Sequence, residues 1–255
     1  MGSQVLQDIL GMHVAVVSLV SAVDLVHAWT SSSVGRYVCV ANVHMCMETY
    51  DDMGFREVVN SADLTVPDGL PLVWAQRLLG NQEATQVRGE DLTMAICAMA
   101  EVNQVPVGFF GGTDESLGKL RAVLLERFPR LQIRYAVAPP FRPITGEEDS
   151  RYAHEINASG ARILFVGLGC PKQERWMAAQ RERLSVVMLG VGAAFDFIAG
   201  SKTAAPRWMR QIGLEWLYRL GTEPKRLWRR YLKHNPRYVC YVGWQIAMER
   251  IVRHR

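Results

Sequence analysis

The chain has 255 residues, 49% of them hydrophobic and 21% charged, a globular composition with length enough for one large core or a core with an appendage. Its net charge of +4 is uneven: residues 202–255 hold 13 Lys and Arg against 3 Asp and Glu, which leaves −6 for the first 201 residues. No window approaches the roughly 18 uninterrupted apolar residues of a spanning helix, and five widely spaced cysteines without a C-x-x-C pair argue for a reducing cytosol and against a disulfide framework or a zinc site.

From the N-terminus, no signal peptide is expected, because a basic segment is missing and the apolar stretch is interrupted by His13 and Asp24. Met12 to Val17 reads as a strand feeding, through the N-cap residue Ser18, a helix with Leu19, Val20, Val23, Val26 and Trp29 at helical spacing. Tyr37 to Ala41 predicts a second strand and Val43 to Val59 a helical stretch. Leu64, Thr65 and Val66 end a third strand, since Pro67 cannot donate to a ladder, and Asp68 is thereby delivered to the strand's C-terminal edge. Gly69 permits a turn into an apolar helix from Leu70 to Leu79. Further helices open at Arg88 and near Asp114. Further strands are expected at Pro106 to Phe110, Leu131 to Val137, Arg162 to Val166 and Ser185 to Leu189.

Six or seven strands alternating with helices predict an α/β fold, a Rossmann-like, mainly parallel sheet covered on both faces. The proline-rich stretch Ala138 to Pro143 reads as a loop near the ligand crevice. After about Gly200 the chain becomes helical, tryptophan-rich and basic, so a core over residues 1–200 and a helical appendage over 201–255 are expected.

Ligands of open α/β sheets sit above the strands' carboxyl ends. Asp68 is placed there, either as a reactive carboxylate or as a cap of the following helix. Gly111 and Gly112 follow one strand, and Gly167 and Gly169 another; each pair precedes a helix, where glycine lets the backbone approach a diphosphate. Neither is a G-x-G-x-x-G, and no G-x-x-x-x-G-K-[ST] is present, so a dinucleotide fingerprint and a P-loop are not supported. Arg88 opens a helix from which a guanidinium reaches a phosphate, or it is simply ion-paired. Lys172 and Gln173 lie in the first turn after Pro171, and Asn42 directly follows a strand; neutral amides in such places suit sugar hydroxyls or a uracil edge. His44 and Glu48, four apart, read as a surface pair without a third ligand, and no Asp-x-Asp follows a strand, so no metal site is expected.

The ordered blocks Val66-Pro67-Asp68-Gly69, Arg88-Gly89-Glu90-Asp91, Gly108 to Gly112, Val166 to Glu174, Gly192 to Phe197 with Gly200, and Gly213 to Leu220 with Glu223-Pro224 resemble the WecG/TagA/CpsF family of bacterial glycosyltransferases. The resemblance extends from the first strand to about Tyr231. It implies metal-independent, inverting transfer without a cofactor, from a UDP-sugar to a sugar on a polyprenyl diphosphate, in exopolysaccharide or cell-wall polymer assembly. It implies Asp68 as general base, Asn42, Arg88 and Gln173 as site residues, and Phe195 and Asp196 among the substrate-binding residues. Two departures stand out: Val40 occupies a position where members often carry Thr, and Ala204-Ala205-Pro206 replaces Arg-Ala-Pro, leaving Arg207 or Lys202 as substitutes. Cys39 to Cys46 is similar to the GumM-like branch, which implies UDP-glucose; other members imply UDP-N-acetylmannosamine.

An acceptor on a lipid gives the basic tail a role. Arg226, Arg229, Arg230, Lys233 and Arg237 fall at helical spacing, with Trp228, Tyr231 and Leu232 on another face, so the tail is expected to bind the anionic inner face of the cytoplasmic membrane, and Arg226, Arg229 or Arg230 to meet the donor diphosphate. A peripheral, cytoplasmic protein follows, with no nucleic-acid partner; a homo-oligomer is left open. Two rival readings are a nucleotide-dependent oxidoreductase on the same sheet and a non-catalytic membrane-surface protein.

Overall fold

A computed structural model describes residues 4–253; the outermost residues of the two expected segments, 1–3 and 254–255, lie outside them. The chain opens with β1 (Leu6–Ile9) and β2 (Met12–Ala15), which pair antiparallel through a turn whose residues Leu10 and Gly11 both have left-handed φ. Met12–Ala15 is therefore a strand as expected, but in a separate hairpin, because its partner lies only two residues upstream and closing so short a loop costs little entropy. Next come α1 (Leu19–Trp29), capped by Ser18, then β3 (Arg36–Ala41), α2 (Val43–Asp51) and α3 (Met53–Asn60). The single helix expected from Val43 to Val59 is broken at Asp52, which adopts extended dihedrals and accepts the Phe55 N–H at 3.0 Å as an N-cap.

The remaining elements are β4 (Leu64–Pro67), α4 (Leu70–Leu78), α5 (Gly89–Val102), β5 (Val107–Gly111), α6 (Asp114–Arg127), β6 (Ile133–Val137), α7 (Gly146–Ser159), β7 (Ile163–Gly167), α8 (Lys172–Gln180), β8 (Val187–Gly190), α9 (Ala194–Ile198), α10 (Arg207–Gln211), α11 (Glu215–Thr222) and α12 (Pro224–Arg253). Six strands form one parallel sheet in the order β4-β3-β8-β7-β5-β6. All six carboxyl ends thus lie along one edge, and the loops that carry the sequence motifs gather there.

Strand alternation divides the core in two. Val38, Val40, Phe109, Phe165 and Leu189 face one side, against α1, α5 and α9. Tyr37, Cys39, Ala41, Phe110, Leu164 and Met188 face the other, where Met45, Phe55 and Met177 of α2, α3 and α8 cover them. Both faces being buried, the central strands read as nearly unbroken apolar runs. All five cysteines are free.

Among the described residues after Gly200 there is no strand, and α12 folds back along the core. Its Tyr238 and Val242 join the second apolar cluster, and the Tyr238 hydroxyl donates to the Pro71 carbonyl at 3.0 Å. Gln245 exchanges two hydrogen bonds with the hairpin, accepting from Leu10 N–H and donating to the Asp8 carbonyl, each at 3.0 Å. Among the described residues no helix is long and apolar enough to cross a membrane.

Candidate active site

Asp68 follows the last residue of β4. Its N–H donates to the Ala41 carbonyl at 2.7 Å, which extends the β3–β4 pairing by one residue and fixes the carboxylate at the sheet edge. It does not cap α4: the N-cap is Gly69, without a side-chain hydrogen bond. The Oδ1 atom instead accepts the N–H of Gly89 at 3.0 Å, at the start of α5. Burial is the largest influence on this carboxyl and pushes it up to about 6; Glu215 nearby raises it further, while the Gly89 hydrogen bond, Arg88 and Arg219 pull the other way. The position of Gly69 does not itself demand glycine, since its φ is −84° and an added Cβ would meet only ordinary contacts.

Asp68 lines a cleft of about 540 Å³ whose walls come from α4, α11 and α12. Much of the wall is apolar: Leu70, Pro71, Trp74 and Leu78 from α4, and Val239, Val242 and Ile246 from α12. Arg210, Glu215, Trp216 and Arg219 reach it from the segment after Gly200, and Arg230 and His234 from α12. A cleft with an apolar body and a few convergent polar groups is the usual form of a small-molecule site.

Asn42 lines the cleft as expected, while its Oδ1 caps α2 by accepting the Met45 N–H at 3.2 Å. Arg88 is 13% exposed and its Nη2 lies 3.0 Å from Glu215 Oε2, so a carboxylate of the appendage occupies the guanidinium that the sequence reserves for a phosphate.

Other expected residues lie elsewhere. Gln173 is 4% exposed and does not line the cleft; its Oε1 accepts the Gly169 N–H at 3.2 Å, its Nε2 donates to Glu174 at 2.6 Å, and it lies against Gly190 and Gly192. It braces the loops after β7 and β8. Burial pushes Glu174 up to about 7, so near neutral pH much of it is protonated beside that amide. Gly111, Gly112 and Gly167 are close-packed with one another and with Phe195: a Cβ at Gly111 would stand 2.5 Å from the Gly167 backbone, and one at Gly167 would stand 2.7 Å from the Phe195 ring. Phe195 is a core residue, edge-on to Phe109. Gly169, with φ +80° and no atom within 4 Å of an added Cβ, is the open member of the set. Lys172 is exposed. Asp196 pairs with Lys202 at 2.6 Å, and Lys202 also approaches Glu223 at 3.7 Å, so Lys202 ties α9 to the tail; Arg207 is exposed, and Arg210 is the cation that enters the cleft from that segment.

The tail cations do not share one free face. Arg226 pairs with Glu223 at 2.6 Å, Arg229 stacks on Trp228, and Arg230 turns into the cleft, while Lys233 and Arg237 both bind Asp51 of α2. Helix docking divides them, because the side of α12 that carries Lys233 and Arg237 rests on α2. His44 and Glu48 are not an isolated surface pair either: His234, 4% exposed, packs edge-on against His44 and completes a cluster with Glu48. Burial is the main cause holding His44 and His234 low, at about 3 and about 4, so both imidazoles are neutral.

Sequence reading missed Glu215, Arg219 and Trp74. The first two lie four apart in the block Gly213 to Leu220, a signal that was available; Trp74 reads as any core residue of an apolar helix.

Residues 7–251 match a family described as the glycosyl transferase WecG/TagA/CpsF family. The chain is also 29% identical over 209 residues to the N-acetylglucosaminyldiphosphoundecaprenol N-acetyl-beta-D-mannosaminyltransferase of Bacillus spizizenii, which covers 82% of this chain and 79% of that one. It is 27% identical over 225 residues to the protein of the same description from Staphylococcus aureus, 87% of each chain.

Proposed function

Because the chain belongs to the WecG/TagA/CpsF family of glycosyl transferases, we infer that it moves a hexosyl group from a nucleoside-diphosphate sugar to a sugar hydroxyl carried on a polyprenyl diphosphate. Family membership sets aside the oxidoreductase and the non-catalytic membrane protein. The observation that carries the finer reading is the cleft itself: a desolvated carboxylate and an extensive apolar wall in one cavity match an acceptor whose head is a sugar and whose body is a lipid.

In this mechanism Asp68 takes the proton of the acceptor hydroxyl as its oxygen attacks the anomeric carbon. The bond to the nucleoside diphosphate breaks on the opposite face, so one displacement inverts the centre. A carboxyl near 6 is ionised at neutral pH and is a better base than an ordinary aspartate. The departing diphosphate gains negative charge, which Arg219 and Arg230 of the cleft, together with Arg88 beside Glu215, neutralise in this reading. Arg88 must first exchange Glu215 for phosphate oxygens, which couples donor binding to a movement of α11. No divalent ion takes part in the step.

The exposed side chains of the segment after Gly200 support a membrane surface as partner. Trp208, Trp228, Leu232, Trp244 and Ile251 are all exposed on the segment after Gly200, Trp244 at 69%, alongside Arg226 and Arg229. Aromatic and aliphatic side chains beside cations are the composition of an interfacial helix, and we place the protein at the cytoplasmic face of the membrane. The relatives' descriptions favour an N-acetylmannosaminyl group, whereas the Cys39 to Cys46 segment favours a glucosyl group. A panel of labelled nucleotide sugars, offered with a short-chain lipid-diphosphate N-acetylglucosamine, decides between them. One donor is expected to give a product of inverted anomeric configuration; the absence of any lipid-linked product with every donor and acceptor would overturn the reading.

A further inference from the structure

His44, Glu48 and His234 converge where α12 crosses α2, and each offers a ligand atom within 4.8 Å of the other two. His44 and Glu48, four apart on α2, share a helix face. Glu48 Oε1 stands 3.6 Å from His44 Nε2 and 3.4 Å from His234 Nε2. Among the described residues these approaches are the only polar contacts of the three side chains, and neither has hydrogen-bond geometry. Three ligand-type atoms thus lie close together without a hydrogen bond among them, and the ring of the buried His234 carries a further nitrogen, Nδ1, that has no partner. Buried polar groups are normally paired, so the gap calls for an occupant.

Its dimensions select one. Ligand atoms about 2.0–2.2 Å from a tetrahedral ion stand roughly 3.4 Å apart, close to the two separations found here. Two imidazoles with one carboxylate are a donor set for zinc and its first-row neighbours, whereas calcium and magnesium prefer oxygen. The charges facing the point are Glu48, Arg230 and Lys233, with Asp51 behind them; Asp51 lies 3.3 Å from Lys233 and also binds Arg237, so its single charge is shared between two cations and Glu48 is the anion that offsets Arg230 at the site.

We propose that His44, Glu48 and His234 bind one zinc-type divalent cation, which clamps α12 onto α2 and takes water as its fourth ligand. The clamp holds Arg230 and Tyr231, one turn before His234, at the wall of the cleft. Its role is structural, at the wall of the same cleft that His44 and His234 line, and it stands independently of the glycosyl reading because its test needs no turnover.

The full chain is stripped with chelator, returned to buffer and titrated with cobalt(II), then with zinc. The expected result is a visible d–d band of tetrahedral cobalt that saturates at one ion per chain and is bleached by zinc, together with a melting temperature that climbs with the logarithm of zinc concentration. His234→Gln and Glu48→Gln should each weaken cobalt binding at least tenfold. Glu48 is half-buried, so its amide variant keeps the test valid if the His234 variant does not fold. No cobalt band and no zinc-dependent melting shift in the unaltered chain would overturn the proposal, as would a band of full intensity in a folded Glu48→Gln protein.

Discussion

Asp68→Asn separates the chemistry of this carboxylate from its cost to the fold. The asparagine Oδ1 keeps the Gly89 N–H bond at 3.0 Å and the side-chain shape, and only the base is removed, so transfer should fall by about 10² to 10⁴ while donor affinity stays within a few-fold. Stability should move the other way. The folded-state pKa of about 6, against an ordinary 3.8, means that the native chain holds this proton more tightly than the unfolded chain. Between about pH 4 and 6 the native state therefore binds more protons, stability falls as pH rises, and above 6 the full deficit is present. At 1.36 kcal/mol per unit the deficit is about 3 kcal/mol, reduced to roughly 1–3 kcal/mol by water in the open cleft. Denaturant melts of both proteins at pH 4 and pH 7.5 read it: the stabilities should nearly coincide at pH 4, and the variant should be the more stable at pH 7.5. The wild-type kcat/KM should rise about tenfold per pH unit below 6 and level off above. A variant with undiminished turnover, or a stability difference that does not change between the two pH values, would refute the reasoning.

Arg88→Ala removes the charge-assisted contact proposed for the diphosphate and should weaken donor binding by roughly ten- to a hundredfold, as read by calorimetry. Trp74→Ala, in the apolar trough, should raise KM for a long-chain lipid acceptor several-fold and leave a water-soluble short-chain analogue unaffected; equal effects on both would assign the trough to packing. Arg226 and Arg229 changed together to Glu should lower binding to anionic vesicles, the loss shrinking as salt rises, at about 1 kcal/mol per cation near the surface. Sedimentation with vesicles at two salt concentrations checks this. Deleting residues from 201 onward should abolish transfer and vesicle binding yet leave a folded sheet, seen as retained far-UV circular dichroism with a lower melting temperature, because Tyr238 and Val242 are lost from the second core cluster.

The sequence by itself determined the fold class and the position of Asp68 at the sheet edge. Pro67 ends a strand wherever that strand lies, and parallel strands bury both faces, so unbroken apolar runs such as Leu164-Phe165-Val166 identify the sheet without any knowledge of strand order. The ordered motif blocks were legible for the same reason: they are short segments whose geometry is local. Only the tertiary structure decided which of them meet. Gln173 and Phe195 carry polar and aromatic signals of a site, yet close packing turns one onto the loop backbones and the other into the core. The cations of α12 share a helical period, but docking on α2 assigns Lys233 and Arg237 to Asp51 and Arg230 to the cleft. Glu215 reaches Arg88, and His234 reaches His44 and Glu48, through the return of the tail across the sheet edge. Spacing along a chain reports neighbours within one turn of helix or one strand; contacts between distant elements depend on how their apolar faces are buried, and it is that burial which gives Asp68 its raised pKa and the cleft its apolar wall.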